Sequence, residues 1–347
     1  MTPPVAGEPY DVVVVGGGQA GLAAGYHLAR AGLGFVVLDD RPRAGDSWRA
    51  RWDSLRLFTP AGFDALPGLP FPATRNHRPG RDEMADYLAR YADAFGLPVR
   101  HGTKARRLDR SGERYLVATD HGVLEARHVV VATGAFAVPR IPAFATGLAP
   151  SIAQLHSAQY GNPGQLDASS VLVVGAGNSG AEIALELAPG RRVRLAGRDT
   201  GHVPAGLDAR LYQVTVAVGV GNPFGRRIAA AVAGRGTPLV GIHERDLTGA
   251  GVVRVPRVVG TSDGAPLLAD GRTLTVDAVL WCTGYRPDDA WLGTPTDRLR
   301  RHRRGVVRDE PGLYLVGRPF QTALSSGLVG GAGKDAEVVV RAITARR

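Results

Sequence analysis

One six-residue turn pattern occurs twice in this chain of 347 residues, and its setting leaves few folds open. The first copy is Gly16-Gly17-Gly18-Gln19-Ala20-Gly21. A β-branched run at 11–15 leads into it, and an Ala/Leu-rich stretch to Ala31 follows, with Leu22, Tyr26 and Ala29 at helical spacing. Gly32 and Gly34 end that helix, and 35–38 reads as the next buried strand. The second copy, Gly175-Ala176-Gly177-Asn178-Ser179-Gly180, follows the apolar run 171–174 and precedes a helix over 181–187 and a strand at 193–195. Strand, glycine turn, helix and strand make a βαβ unit, whose two strands lie parallel. Three glycines at this spacing arise by chance in a chain that holds 47, so it is the strand before and the helix after that give the pattern its force.

Each part of such a turn has a purpose. The first glycine makes the tight bend, the second lets the backbone approach a pyrophosphate, and the third lets the helix pack close to the strand. The anion then sits among the unpaired N–H groups of the helix N-terminus. In the first copy these positions are Gly16, Gly18 and Gly21, with Gln19 and Ala20 beside them. Asp39 ends the next strand, 18 residues after Gly21, where a carboxylate accepts hydrogen bonds from a ribose hydroxyl. In the second copy they are Gly175, Gly177 and Gly180, with Asn178 and Ser179. No carboxylate ends the following strand there; Arg194 and Arg198 stand in that region, and Arg198 suits the 2′-phosphate that separates NADPH from NADH. Two dinucleotide sites, one acidic and one basic at the ribose, imply a hydride relay from a nicotinamide to a flavin.

Composition narrows the class further. Hydrophobic residues at 44% and charged residues at 21% fit a globular protein large enough for two cores. The net charge of +10 is carried almost wholly by arginine, since Lys104 and Lys334 are the only lysines. The densest cluster, Arg298, Arg300, Arg301, Arg303 and Arg304, falls among Gly, Pro and Asp, which reads as a solvated loop that steers anions; no nucleic-acid module accompanies it. A single cysteine, Cys282, excludes an intramolecular disulfide and a Cys-x-x-Cys redox pair. No apolar run reaches bilayer length and residues 1–10 lack a signal-peptide pattern, so the expectation is a cytoplasmic enzyme.

Between the turns, 41–79 is rich in Pro, Gly and aromatics without a sustained period and reads as a structured loop over the cofactor. A helix follows at 81–95, then short strands near 115–119 and an apolar run at 129–132 ending in Thr133-Gly134. Beyond the second turn a helix is expected near 226–233 and a strand at 278–282 ending in Thr283-Gly284. A strand at 313–316 and a helix at 335–344 close the chain. The expected fold is α/β, with two Rossmann-like dinucleotide-binding domains built on parallel sheets. An FAD domain at 8–165 and 291–347 is interrupted by an NADPH domain at 166–290.

The ordered set of motifs resembles the class B flavin-dependent monooxygenases, in the bacterial group related to the plant auxin-forming enzymes. The resemblance rests on the two turns, on Gly45-Asp46-Ser47-Trp48-Arg49 and Trp52-Asp53-Ser54-Leu55-Arg56-Leu57, and on Leu66-Pro67-Gly68 and Val131-Ala132-Thr133-Gly134. Cys282-Thr283-Gly284-Tyr285-Arg286-Pro287 completes it. It implies FAD and NADPH as cofactors, with Ser47, Trp48, Thr133 and Gly134 added to the cofactor-binding residues, and no metal. It further implies that reduced flavin adds oxygen to form a C4a-hydroperoxyflavin, which oxygenates a small molecule at nitrogen, sulfur or a carbonyl.

His156-Ser157-x-x-Tyr160 matches part of the family's identifying stretch, and there His156 reads as a linker residue holding two domains in register. Two departures stand out. Phe58 occupies a position where several members carry Asn, and Gly317 is followed by Arg318 where many FAD enzymes carry Asp. The segment 321–333 is expected to cover the flavin. Alternatives to a monooxygenase are an NADPH oxidase or diaphorase that releases hydrogen peroxide, and a redox-sensing flavoprotein that acts through a partner. The expected partners are a small-molecule substrate and molecular oxygen, with no nucleic acid, and a homodimer is one assembly left open.

Overall fold

The computed structural model of the protein describes residues 9–203, 212, 214, 218–235 and 238–346. Strand β1 (Tyr10–Val15) runs into helix α1 (Gln19–Arg30) and returns as β2 (Phe35–Leu38), parallel to β1 and paired Val12 to Phe35 through Val15 to Leu38. Around this pair grows a nine-stranded sheet. Helices α2 (Asp46–Arg49) and α3 (Arg81–Ala94) lead to β3 (Val99–Arg100), which pairs parallel to β2. Strands β4 (Ala105–Ser111), β5 (Arg114–Thr119) and β6 (Gly122–Val131) form an antiparallel meander, and the end of β6 lies parallel to β1.

The valines of β1 follow the two-residue period of a strand. Val12 and Val14 face a core shared with α1 and α3, while Val13 and Val15 face the meander. A strand covered on both faces needs apolar side chains on both, which is why 12–15 reads as an unbroken apolar run.

The chain then crosses, through β7 (Val138–Pro139), to a second sheet whose five strands are all parallel. It comprises β8 (Ala153–His156), β9 (Ser170–Val174), β10 (Arg192–Ala196), β11 (Val253–Val255) and a later strand at the end of the unit. Helix α4 (Asn178–Leu187) joins β9 to β10, and α5 (Pro223–Arg235) and α6 (Glu244–Gly249) follow. After the hairpin β12 (Val258–Ser262) and β13 (Ala265–Leu268), β14 (Ala278–Trp281) enters the middle of the sheet between β9 and β8. The helix expected near 226–233 thus lies within α5. Residues 204–211, part of the tract the sequence leaves unassigned, lie outside the described residues.

The return crossing is β15 (Tyr285–Arg286), which pairs antiparallel with β7, so both passages between the sheets lie side by side. Helix α7 (Thr296–Arg300), β16 (His302–Arg303), β17 (Val306–Val307) and β18 (Leu313–Leu315) extend the first sheet beside β6. Helix α8 (Val329–Thr344) closes the chain against α1.

Three details depart from the sequence expectation. Strand β8 precedes residue 166 yet pairs with β14, so the inserted sheet draws on chain before 166. Helix α8 begins at Val329 and not near 335, because its glycines allow close packing: a Cβ on Gly330 would lie 1.9 Å from the Phe63 carbonyl oxygen. The nine-stranded sheet is parallel from β18 through to the edge strand β3 and carries antiparallel strands at β4, β5, β16 and β17.

Part of the segment 41–79 also serves both sheets. Trp52 is buried in the core of the second sheet, together with Tyr160 and Ile183. Beside it the Asp53 N–H donates to the Gly161 carbonyl at 2.7 Å, the Asn162 amide donates to Asp53 Oδ2 at 2.9 Å, and Arg51 Nη1 donates to the Tyr285 hydroxyl at 3.0 Å.

Candidate functional site

The two glycine turns stand at the carboxyl ends of parallel strands, one in each sheet, where open α/β sheets bind ligands. In the first, Gly16 holds φ +111°, and a Cβ there would lie 2.5 Å from the Ala132 carbonyl oxygen. A Cβ on Gly21 would lie 1.8 Å from the Gly16 carbonyl oxygen. Gly18, the N-cap of α1, has nothing within 4 Å of its Cβ position among the described residues. Two glycines are therefore required by the fold, and the third faces open space that a ligand can enter.

The second turn repeats this arrangement. Gly175 also holds φ +111°, its Cβ would lie 2.2 Å from the Cys282 carbonyl oxygen, and a Cβ on Gly180 would lie 1.8 Å from Gly175 O. Gly177, the N-cap of α4, again faces open space among the described residues.

Helix capping separates these two helices from α3 and α6. At α3 the Glu83 carboxylate accepts from the Gly80 N–H at 2.7 Å, and at α6 the Asp246 carboxylate accepts from the His243 N–H at 2.7 Å. The first turns of α1 and α4 carry no acidic residue and no side-chain cap among the described residues. Their N–H groups are left for an outside acceptor, which suits a pyrophosphate.

Around the first turn the donor set fits FAD. Asp39, 8% exposed, follows β2; burial pushes its carboxyl above the usual carboxylate range, and the Arg41 N–H donated to it at 3.1 Å opposes that shift. Thr133 Oγ1 is buried without a hydrogen-bond partner among the described residues. Gly134, at φ +75°, follows it. On α2, Trp48 Nε1 donates to Gln19 Oε1 at 3.4 Å, which ties the 45–49 loop to the turn, while Ser47 on the same helix is exposed. Ala20 is buried, and Gly317 passes close enough that its Cβ would lie 2.7 Å from the Ala20 methyl. Arg318 is occupied elsewhere, in a buried ion pair with Asp289.

Around the second turn, Gly197 follows β10, and Arg198, exposed, comes next. Arg194 points back along the sheet and donates to Ser170 Oγ at 3.1 Å, which removes it from the ribose end. The Asn178 side chain is committed to the fold. Its amide donates to the Pro238 carbonyl at 3.2 Å and its oxygen accepts from the Val240 N–H at 2.9 Å. Ser179, half-buried, lies in the first turn of α4. Thr200 Oγ1, two residues beyond Arg198, is buried without a partner among the described residues. A lone Thr in a loop carries no pattern that would single it out in the sequence.

His156 is buried between the sheets. Its Nε2 donates to the Gly284 carbonyl at 3.0 Å and its Nδ1 accepts from the Ala158 N–H at 3.1 Å, so the ring is neutral, and burial lowers its pKa further. This is a residue that holds β8 to the crossing at 284–285. Tyr160 donates to Glu186 Oε2 at 2.9 Å within the second core. Phe58 stacks on Tyr212 with ring centroids 6.3 Å apart, and the Tyr212 hydroxyl donates to the Phe58 carbonyl at 3.1 Å. Two further acids are buried by the fold. Desolvation pushes Asp64 up to about 7 against one hydrogen bond from Thr59, and Asp335 up to about 6 against those from Thr322 and Ser326.

Two glycine turns with uncapped helix N-termini above parallel sheets, one beside a buried carboxylate, form the frame of a protein that binds two dinucleotides. Residues 13–212 match the family model described as pyridine nucleotide-disulphide oxidoreductase. A CzcO-like oxidoreductase of Geobacillus kaustophilus is 38% identical over 341 residues, covering 96% of this chain and 98% of the relative. The indole-3-pyruvate monooxygenase YUCCA1 of rice is 32% identical, covering 88% of this chain and 86% of its own. Among solved structures, the flavin-containing monooxygenase of Stenotrophomonas maltophilia has a TM-score of 0.81 at 31% identity, covering 98% of this chain and 99% of its own.

The chain belongs to the pyridine nucleotide-disulphide oxidoreductase family and, within it, to the class B flavin-dependent monooxygenases. It is a flavoprotein oxidoreductase of the monooxygenase type. With Cys282 as its single cysteine, it has no internal dithiol for the disulphide chemistry in the family's description. Among the described residues no helix is long and apolar enough to cross a membrane.

Proposed function

We propose that this protein uses NADPH and molecular oxygen to oxygenate a small molecule at a nitrogen, sulfur or carbonyl centre, with FAD at the first turn and NADPH at the second. The observation that carries this reading is the pair of glycine turns at the ends of parallel strands, each opening an uncapped helix, of which only the first has a buried acid at its strand end. On this reading residues 8–165 and 291–347 form the FAD domain and 166–290 the NADPH domain, which borrows β8 from the preceding segment.

Gly16, Gly18, Gln19, Ala20 and Gly21 shape the turn that offers backbone N–H groups to the FAD pyrophosphate, and Asp39 accepts from its ribose. Ser47, Trp48, Thr133 and Gly134 border the same cofactor, with the unpaired Thr133 hydroxyl supplying a donor. Gly175, Gly177, Ser179 and Gly180 do the corresponding work for NADPH. Asn178 contributes its backbone, while its side chain positions the loop at 238–240. Arg198 and the Thr200 hydroxyl meet the 2′-phosphate.

Bound FAD would supply the redox chemistry, hydride acceptance from NADPH and activation of oxygen, with one oxygen atom going to substrate and the other to water. The chain orients the two dinucleotides and keeps water out. The Trp52 clamp and the paired β7 and β15 fix how the sheets meet, and the hydrogen bonds from Val220 to Thr322 and from Leu324 to Val218, at 2.9 and 3.1 Å, tie the inserted unit to the segment 322–324.

The test is a product balance. With NADPH, oxygen and a panel of tertiary amines, thioethers and ketones, at least one class is expected to yield oxygenated product in proportion to NADPH consumed. Stoichiometric hydrogen peroxide with every compound would instead establish the oxidase reading, which the phenyl ring of Phe58, stacked on Tyr212, favours. The same reading puts the enzyme in the cytoplasm, which fractionation checks, and light scattering tests for a homodimer.

A further inference from the structure

The segment between β18 and α8 touches both units. It passes the first turn at Gly317, where a Cβ would lie 2.7 Å from the Ala20 methyl, and it ends where Gly330 packs on Phe63. Between those points Ala323 bridges antiparallel to Gly219 of the inserted unit. The Val220 N–H donates to the Thr322 carbonyl at 2.9 Å and the Leu324 N–H to the Val218 carbonyl at 3.1 Å. The crossing strands β7 and β15 and the Trp52 clamp form a separate attachment, joined through the hydrogen bond from Arg51 to the Tyr285 hydroxyl. A body held at one such place can still pivot about it, and the ladder to 218–220 opposes that motion.

A single buried oxygen atom shapes this segment for pairing. Ser326 Oγ accepts from the Thr322 N–H at 2.9 Å and from the Ala323 N–H at 3.1 Å, which closes the turn 322–326. With both lone pairs used, its own proton needs an acceptor, and it goes to Asp335 Oδ1 at 2.9 Å. The Thr322 hydroxyl donates to the same oxygen. Thr322 and Ser326 are each 5% exposed and Asp335 is 0% exposed, so water does not stand in for any of these bonds. An aspartate inside a helix and out of water costs stability twice, through propensity and through desolvation. Asp335 sits on α8, which packs along α1, so the host is the fixed side of the contact.

We propose that Asp335 is a positioning residue for hydride transfer: through Thr322 and Ser326 it holds the turn 322–326 in the shape that pairs with 218–220, and so fixes the approach of a coenzyme on the inserted unit to the flavin on the host. The proposal rests on the reading of the two turns as FAD and NADPH sites. In that step the hydride leaves C4 of the dihydronicotinamide, which becomes the nicotinamide cation, and both electrons go to the flavin, which is reduced. Transfer needs the reacting atoms within about 3–3.5 Å, and a misplacement of about 1 Å caused by a distant change costs about a hundredfold. Binding at the second turn is local to the inserted unit and does not depend on that approach.

Asp335→Ala leaves two buried hydroxyls without their acceptor. Asp335→Asn keeps one oxygen that accepts from both, but puts its amide where Oδ2 has no partner among the described residues. FAD-loaded wild type and variants are mixed anaerobically with NADPH at pH 8, above the value of about 6 to which burial raises Asp335, and flavin bleaching is followed at increasing coenzyme. Asp335→Ala is expected to lower the limiting rate about a hundredfold and to move the apparent Kd for NADPH less than about threefold, while Asp335→Asn loses about tenfold or less. N-benzyl-1,4-dihydronicotinamide, a hydride donor without the adenine nucleotide, is expected to reduce the flavin equally fast in all three. Hydrogen–deuterium exchange on the same proteins gives a readout apart from turnover: in Asp335→Ala the amides of 218–220 and 322–326 exchange faster, and those of β1 and α1 keep their protection. Equal slowing with both donors would overturn the proposal, because Asp335 would then support the flavin pocket alone. Unchanged reduction by NADPH, or unchanged exchange at 218–220, would overturn it too. Should Asp335→Ala fail to fold, Thr322→Val, which removes one hydroxyl and keeps the branched shape, decides by the same measurements, with an expected loss of about tenfold. A wild type whose flavin NADPH does not reduce would bring down the reading of the two sites and the proposal with it, and that failure shows before any variant is made.

Discussion

The turn at Gly16 and the turn at Gly175 share a backbone and differ in what surrounds it. Both first glycines sit at φ +111°, both third glycines pack with a would-be Cβ 1.8 Å from the first glycine's carbonyl, and both helices start uncapped among the described residues. Around the first turn lie a buried carboxylate and the unpaired hydroxyl of Thr133. The matching threonine at the second turn, Thr283, is satisfied: its hydroxyl donates to the Arg140 carbonyl. A buried polar group without a partner weakens the empty fold, and a ligand that pairs with it stabilises the folded state. On the proposed reading the first turn, with its buried acid and the unpaired Thr133, holds the cofactor that stays, and the second, whose unpaired hydroxyl is that of Thr200 beyond β10, takes the coenzyme that exchanges at each turnover.

The sharpest way to break this contrast is to block each turn in the same manner. Gly21→Ala and Gly180→Ala both put a methyl onto a carbonyl oxygen, yet their consequences are expected to diverge. The first should lose most of its flavin and much of its thermal stability, read as flavin absorbance per protein and as Tm. The second should keep its flavin and lose NADP+ affinity by about a hundredfold, on the order of the 3 kcal/mol that overpacking costs. Equal flavin loss in both would mean that the turns are not functionally distinct.

A smaller effect is expected from Asp39→Asn, which keeps the shape and removes the charge. Charge-assisted hydrogen bonds contribute about 1.5–3 kcal/mol, so FAD affinity should fall about tenfold or more while NADP+ binding to the remaining holoprotein is unchanged. The pH dependence follows from the raised pKa of Asp39. A carboxyl that takes up its proton at a higher pH than usual loses its acceptor charge earlier on acidification, so wild-type FAD affinity falls as pH drops through that raised value, and Asp39→Asn flattens the fall. The smallest effect belongs to the exposed Arg198: in Arg198→Ala the KM for NADPH should rise about tenfold or less, with the KM for NADH unmoved.

Both turns were legible in the sequence because their pattern is local, a strand, three glycines and a helix within some twenty residues, although the carbonyls that require Gly16 and Gly175 belong to the distant Ala132 and Cys282. The strand-end assignment was only half legible. Arg194 and Arg198 are near neighbours in sequence, and only the strand registers show that Gly197 holds the place after β10 that Asp39 holds after β2, and that Arg194 turns back to Ser170. Asn178 sits where a cofactor contact is expected, but its side chain is spent on residues 238 and 240, sixty positions away, a pairing without periodicity. The same holds for Trp52 in the second core and for β8 in the second sheet. Helix α8 starts at Val329 against the low helix propensity of Gly330, Gly331 and Gly333, because tertiary packing on Phe63 and Pro67 outweighs propensity.

The antiparallel pairing of Val138 with Arg286 has a topological consequence. Directly opposed residues in such a ladder are about 5 Å apart at Cα, so the inserted unit leaves and re-enters its host almost at one point. A tight turn of two to five residues could bridge either side of the cut, closing the host over the gap or joining the two ends of the excised piece. The neighbouring order β18, β6, β1 of the first sheet is thus kept across the crossing, while Trp52 and the bonds between 218–220 and 322–324 fasten the second sheet beyond the junction itself.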